Sequence, residues 1–217
     1  MTTRRTYGDD CAAAHALDLV GERWALLVVR ELLFGPKRFS DLRRGMPNAS
    51  PNVLSQRLRE LEDVGVVRRH KLGPPVSSWV YELTDWGHEL ETVLTHLGRW
   101  GRRSPLRSAE STSAISVDSL MLALRSHFDP AAHPGLAGTY ALNLGDDHFS
   151  IRIGDGRLDI TRGDERTPDA VIETDARTFA ALLGRRQRLN EMKGTGRLAL
   201  HGDVDSVERL FNAVAAA

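Results

Sequence analysis

The chain of 217 residues has a single cysteine, Cys11. That excludes an intramolecular disulfide framework and any multi-cysteine zinc site. Long apolar runs are missing too: the longest, Trp24 to Val29, falls far short of the roughly 20 residues a membrane span needs. The first residues, Met-Thr-Thr-Arg-Arg-Thr-Tyr-Gly-Asp-Asp, contain no apolar segment, so no secretory signal is expected. The eight histidines show no His-x-x-x-His spacing with a third ligand, and no metal site is expected. Gly154-Asp155-Gly156 and Gly194-Thr195-Gly196 are too short for a phosphate loop, read as turns, and call for no cofactor. Neither an oxyanion-hole motif nor an orienting third residue accompanies Cys11 and His15, which argues against an enzyme. What is present is 41% hydrophobic and 27% charged, an ordinary globular balance expected of a cytoplasmic protein.

The net charge of zero hides an asymmetry. Residues 1–108 carry 17 Lys and Arg against 13 Asp and Glu, a net of +4, and residues 109–217 carry 12 against 16, a net of −4. A basic half suggests a polyanionic partner, although scatter between two domains gives the same sum. The serine-rich stretch around Arg102-Arg103-Ser104-Pro105 holds few apolar residues and reads as a linker. The expected organisation is therefore a domain over 1–103, a linker over 104–115 and a second domain over 116–217.

In the first half, Ala12 to Val20 reads as a helix, and Trp24 to Phe34 as a central buried helix stopped by Gly35-Pro36. A short helix follows at Phe39 to Arg44. Ser50-Pro51 then opens another helix, with a hydroxyl cap and proline at its first position, running to about Val64 and stopped by Gly65. Two β-prone runs, Val66 to Leu72 and Ser78 to Leu83, flank a Gly-Pro-Pro turn region. Thr84-Asp85 caps a long helix with Trp86, Leu90, Val93, Leu94, Leu97 and Trp100 at helical spacing. This order is that of a winged helix-turn-helix.

On the wheel of the Ser50–Val64 helix, Leu54, Leu58 and Leu61 share one face. Asn52, Gln56 and Arg59 occupy the opposite face, with Val53 and Ser55 at its margins. Asn and Gln can bond adenine through two atoms and Arg guanine, and Val can touch a thymine methyl. Basic clusters flank this helix: Lys37-Arg38 before the short helix, Arg43-Arg44 at its end, and Arg68-Arg69-His70-Lys71 leading into the wing. Such clusters fix register on a duplex without reading sequence. The candidate DNA-binding set is Lys37, Arg38, Ser40, Arg43, Ser50, Asn52, Val53, Ser55, Gln56, Arg59, Arg69 and Lys71.

Cys11, Leu17-Asp18-Leu19-Val20-Gly21, Trp24, Arg30-Glu31-Leu32, Gly35-Pro36-Lys37-Arg38-Phe39, Leu42, Ser50-Pro51, Leu54 to Glu62, Gly65 and Tyr81-Glu82-Leu83-Thr84 resemble the HxlR-type winged-helix transcriptional regulators, a MarR-related bacterial group. The resemblance covers about a third of the chain, from Cys11 to Gly87. It implies a homodimer paired through terminal helices, here the segment before Ala12 and the Thr84–Arg103 helix, on palindromic double-stranded DNA. Trp86 and Trp100 fit either the core or the dimer contact. In relatives a cysteine near the N-terminus often senses oxidants. Cys11 is the matching candidate, with His15 one turn on. Ala12 replaces the usual following proline, and Asp9 and Asp10 oppose ionisation. A small side chain at the dimer seam is the alternative.

The second half begins with an amphipathic helix, marked by Val117, Leu120, Met121, Leu124 and Phe128 and broken by Asp129-Pro130. Strands are expected over Gly138 to Leu144, His148 to Ile153, Arg157 to Thr161, Ala170 to Glu173 and Arg197 to His201. Asp175 and Asp203 cap helices containing Phe179 and Phe211. The whole chain is therefore expected to be α+β, its second domain an antiparallel sheet with helices on one face. Asp155-Gly156-Arg157-Leu158, Pro168-Asp169-Ala170 and Gly196 to Asp203 resemble the sterol-carrier-protein type-two lipid-binding fold. This resemblance implies an apolar small molecule or lipid bound between sheet and helices. Its candidate lining is Phe128, Phe149, Ile151, Phe179, Leu183, Leu189, Met192 and Phe211, residues that could equally fill a dry core. The reading is a DNA-binding homodimer modulated by an apolar effector. A dimeric lipid or acyl carrier and a thiol switch through Cys11 are the alternatives.

Overall fold

The computed structural model describes residues 6–74, 77–105, 115–129, 131, 134–184, 187–192 and 194–214. Residues 106–114 of the expected linker, Pro130 and the terminal alanines lie outside the described residues. The chain divides into two compact units, Met1–His96 and Leu97–Ala217.

The first unit runs α1 (Ala12–Val20), α2 (Ala25–Leu32), α3 (Phe39–Gly45), α4 (Pro51–Asp63), β1 (Val67–Lys71), β2 (Trp79–Leu83) and the opening turns of α5 (Asp85–Arg102). The helix expected from Trp24 is shorter, because Trp24 sits at its cap with a φ of 78° and Leu33 and Phe34 follow it as buried non-helical residues. Val28, Val29 and Leu32 of α2 form the core with Leu42, Leu54, Leu58, Leu61, Val80 and Leu83, all buried. Strands β1 and β2 pair antiparallel from Val67 opposite Leu83 to Lys71 opposite Trp79. Ser50 caps α4 by accepting from the Val53 amide at 3.4 Å, and Gly65, at a φ of 76°, ends it where the sequence predicts.

A buried carboxylate joins these pieces. Glu31 of α2 is fully buried and binds Arg30 at 2.7 Å and Lys37 Nζ at 3.0 Å. Gly45 of α3 makes room, since a Cβ there would overlap the Glu31 carboxylate. Lys37 also exchanges backbone hydrogen bonds with Tyr81 of β2 at 2.9 and 2.8 Å, fastening the start of α3 to the hairpin. The expectation that Lys37 contacts phosphate is therefore corrected: its side chain is only 8% exposed because a carboxylate removed from water requires a cation beside it.

The second unit holds the end of α5, then α6 (Val117–His127), β3 (Gly138–Leu144), β4 (Asp147–Gly154), β5 (Arg157–Arg162), β6 (Ala170–Thr174), α7 (Ala176–Leu183), α8 (Leu189–Met192), β7 (Leu198–Gly202) and α9 (Val204–Ala213). The sheet order is β5-β4-β3-β6-β7. The sequence predicts an entirely antiparallel sheet, but β3 and β6 pair parallel while the other neighbours are antiparallel. After the β3-β4-β5 meander, residues 163–169 carry the chain back across the sheet to the free edge of β3, so β6 starts at the same end as β3. This strap is tied down by Glu165, which accepts from Ser150 Oγ at 2.6 Å and Arg152 Nη2 at 2.9 Å. The Ser150 hydroxyl and the Arg152 guanidinium hold the Glu165 carboxyl down to about 2.

Phe149, Ile151 and Ile153, alternating with Ser150 and Arg152, face the helices instead and are buried. Leu120, Met121 and Leu124 of α6, Phe179 of α7, and Val207 and Leu210 of α9 complete this core. Ser116, Asp175 and Asp203 cap α6, α7 and α9 by accepting from Ser119, Thr178 and Ser206 amides. The short α8 is not among the expected elements; four residues are too few to carry a hydrophobic period.

Replacing Lys37 by Met removes the ammonium from a carboxylate that stays buried. Lys37→Met leaves Arg30 as the cation beside Glu31 and is expected to lower stability by about 2 kcal/mol, read as a lower urea midpoint; an unchanged midpoint would contradict the pairing.

Candidate nucleic-acid interface

Helix α4 is positioned by its leucines. With Leu54, Leu58 and Leu61 each no more than 1% exposed, its rotation about its own axis is set. Asn52 and Arg59 are left exposed, and Val53, Ser55 and Gln56 half-buried at the margin. Two of these side chains are held in place: Gln56 Nε2 donates to Glu60 Oε1 at 2.9 Å, and Arg59 Nε donates to the Ser55 carbonyl at 3.3 Å. Each keeps further N–H groups, and the Gln56 carbonyl oxygen is not used in that contact. Ser50 is exposed at the start of the helix, where the first backbone N–H groups lack intrahelical acceptors.

Arg57, absent from the candidate set, is buried and ion-paired to Glu60, with Glu22 at 3.7 Å. The wheel contained the signal: Arg57 lies about 60° from Leu54, on the leucine side.

Around α4, Ser40 and Arg43 of α3 are exposed, and so is Arg38, whose Nε donates to Ser78 Oγ at 2.9 Å. That bond and the Lys37–Tyr81 bridge bring the start of α3 beside the hairpin. On the hairpin, Arg69 and Lys71 are exposed, whereas Arg68 is engaged by Glu82 at 2.8 Å. Eleven of the twelve candidate residues, Lys37 excepted, thus reach the surface of the first unit at least in part.

Cys11 is exposed at the cap position of α1, and its own amide donates to Asp9 Oδ1 at 2.9 Å. The backbone N–H groups of Ala14 and Ala13 hold its thiol below the ordinary range. Along α5, Trp86, Val93, Leu97 and Trp100 are 47–68% exposed, so the two tryptophans are not core residues of the chain by itself.

In the second unit, Phe149, Ile151, Phe179 and Met192 are buried, and Phe128, Leu183, Leu189 and Phe211 half-buried. Phe179 and Phe211 meet edge to face at 5.8 Å. The Phe149 ring is covered by the Arg162 guanidinium at 4.5 Å, itself bound to Asp118 at 2.8 Å and to Asp147. A polar cavity, open to solvent and lined by Thr139, Arg152, Asp155 and Arg157 among others, shares none of the eight candidate lining residues. Among the described residues no group of three His, Cys, Asp or Glu is placed to hold a metal, and no helix is long and apolar enough to cross a membrane.

Residues 19–108 match the HxlR-like helix-turn-helix family, and residues 122–215 match the SCP-2 sterol transfer family. YvaP of Bacillus subtilis strain 168, named an uncharacterized HTH-type transcriptional regulator, is 41% identical over 85 residues, covering 39% of this chain and 79% of the relative. The HTH-type transcriptional regulator YodB of the same organism is 35% identical over 85 residues, covering 39% of this chain and 76% of its own. The solved structure of the reduced form of YodB, 32% identical, covers 44% of this chain and 95% of that one, with a TM-score of 0.40. A winged helix-turn-helix at one end and a helix-backed sheet at the other agree with both matches. The chain belongs to the HxlR-like helix-turn-helix family of transcriptional regulators, and over residues 122–215 it is similar to the SCP-2 sterol transfer family.

Proposed function

We propose that this protein is a non-enzymatic regulator that binds palindromic double-stranded DNA as a homodimer, with α4 of each copy in a major groove, and that an apolar small molecule or lipid in the second unit modulates the binding. The observation that carries the reading is the outer face of α4, where Asn52, Gln56 and Arg59 stand opposite three buried leucines. Arg43, Arg69 and Lys71 supply phosphate contacts beside it, and Arg38, Ser40, Ser50, Val53 and Ser55 complete the contact set.

A second copy of the chain is the occupant proposed for α5. Trp86, Val93, Leu97 and Trp100 recur at intervals of seven, four and three residues on one helix face, which leaves large apolar side chains in water unless a partner covers them. In the second unit Arg99 Nη2 donates to the Ser126 carbonyl at 2.7 Å, and Arg102 Nη2 lies 3.3 Å from His127 Nδ1, at the end of α6. Phe128, which follows α6 and bridges to Val214, is a candidate lining residue of the effector site, with Phe149, Ile151, Phe179, Leu183, Leu189, Met192 and Phe211. An effector that parts α6 from the sheet favours one setting of α5 over another and shifts the population of dimers fit for DNA.

Cys11 supports a second reading, a thiol switch, because its exposed thiol is held below the ordinary range. Oxidant should then alter the DNA affinity of the wild type and leave Cys11→Ser unchanged; an equal response in both would end this reading.

For the main reading, duplexes selected from a random pool distinguish base readout from phosphate contact. Arg59→Ala and Gln56→Ala are expected to change the selected sequence while holding affinity for random duplex within about twofold. Arg43→Ala is expected to weaken both and to lower the slope of log affinity against log salt by about one. Equal losses on selected and random duplex for all three would contradict the assignment.

A further inference from the structure

We infer that Trp79 and Tyr81 form an aromatic seat on the hairpin that fixes Arg69 as a phosphate-directed fork, which makes Trp79 a positioning residue for DNA binding. The inference rests on the DNA-binding reading above. In the β1–β2 register Arg69 stands opposite Tyr81 and Lys71 opposite Trp79, so these four side chains share one face of the hairpin. The Arg69 guanidinium carbon lies 4.7 Å from the centroid of the Trp79 ring and 5.7 Å from that of Tyr81.

The neighbouring arginine is treated differently. Arg68, on the opposite face, is bound by Glu82 through Nη2 at 2.8 Å and Nε at 2.9 Å. Arg69 is exposed and has no carboxylate partner among the described residues. The hairpin neutralises one cation and stacks the other. A stacked guanidinium presents its faces to the rings and keeps its in-plane N–H donors, the edge that a phosphate engages with two hydrogen bonds. Seating the side chain before DNA arrives removes part of the ordering cost from the binding step. Trp79 itself is 53% exposed, so its indole contributes little to the core and is available for this role.

Phosphate contacts carry no sequence information, so a fluorescein-labelled duplex of mixed sequence is a sufficient probe. Trp79→Ala is expected to weaken binding about fivefold, and Trp79→Phe to restore most of the loss. Arg69→Ala also weakens binding, and adding Trp79→Ala to it changes nothing further. A merely structural role for Trp79 would make the two losses add. Should Trp79→Ala fold poorly, Arg69→Lys keeps the charge, loses the planar stack, and is expected to weaken binding to the same degree. In the free protein the Arg69 Hε resonance should be ring-current shifted, and the shift should vanish in Trp79→Ala. Trp79→Ala or Arg69→Lys binding as tightly as wild type, additive losses, or an unshifted Arg69 resonance would overturn the inference alone. A wild type with no salt-dependent affinity for any duplex would sink the DNA-binding reading and this one with it.

Discussion

Leu54, Leu58 and Leu61 sink one side of α4 into the core of the first unit, and what the other side of the helix can do follows from that burial. Each such side chain contributes about 1.5–3 kcal/mol when removed from water, more than any exposed contact on α4 could offset. The rotation of the helix is thereby decided by apolar packing and not by polar bonds. Ser50 and Pro51 set where it begins, and Gly65 sets where it ends. Asn52, Gln56 and Arg59 are outward because the leucines are inward. Function is attached to the face that packing leaves over.

Charge is divided in the same way. The basic residues of the first unit separate into those paired with a carboxylate, buried for Lys37 and Arg57 and exposed for Arg68, and those left to solvent. Lys37 balances Glu31, Arg57 is held by Glu60, and Arg68 by Glu82. Arg43, Arg59, Arg69 and Lys71 remain exposed. The internal pairs hold the fold in register. The Glu31–Lys37 contact and the Lys37–Tyr81 bridge fasten the hairpin to the helices, and the exposed cations depend on that fastening for their placement. A net charge of +4 over residues 1–108 therefore says little about which cations meet a polyanion.

Much of this was legible from local signals. Caps, the proline at the first turn of α4, turn glycines and the helical period of the leucines are short-range, and they located α4, the hairpin and the β3-β4-β5 meander closely. Features decided by distant partners were not legible. Glu31 lies only 6 residues before Lys37, yet its burial depends on how α2 packs against the elements that follow it. The parallel pairing of β3 with β6 depends on where a seven-residue strap, residues 163–169, crosses the sheet, and each strand by itself reads the same in either direction. An amphipathic stripe such as that of α5 declares an apolar face without saying whether the same chain or another covers it. For the second unit, alternation identifies Phe149 and Ile151 as inward-facing, but a ligand pocket and a filled core carry the same pattern.

Helix α5 begins in the first unit, and its last turns, which belong to the second, bind the end of α6 through Arg99. In the proposed mechanism an effector in the helix-backed sheet shifts the population of dimers and so the spacing of two α4 helices. The most direct test of the central claim is dimethyl sulfate protection of guanine N7 on a duplex selected by the full-length protein. The account predicts protected guanines in two clusters about one helical turn apart, each within the major groove. A bound duplex whose guanine N7 atoms all remain reactive would contradict it.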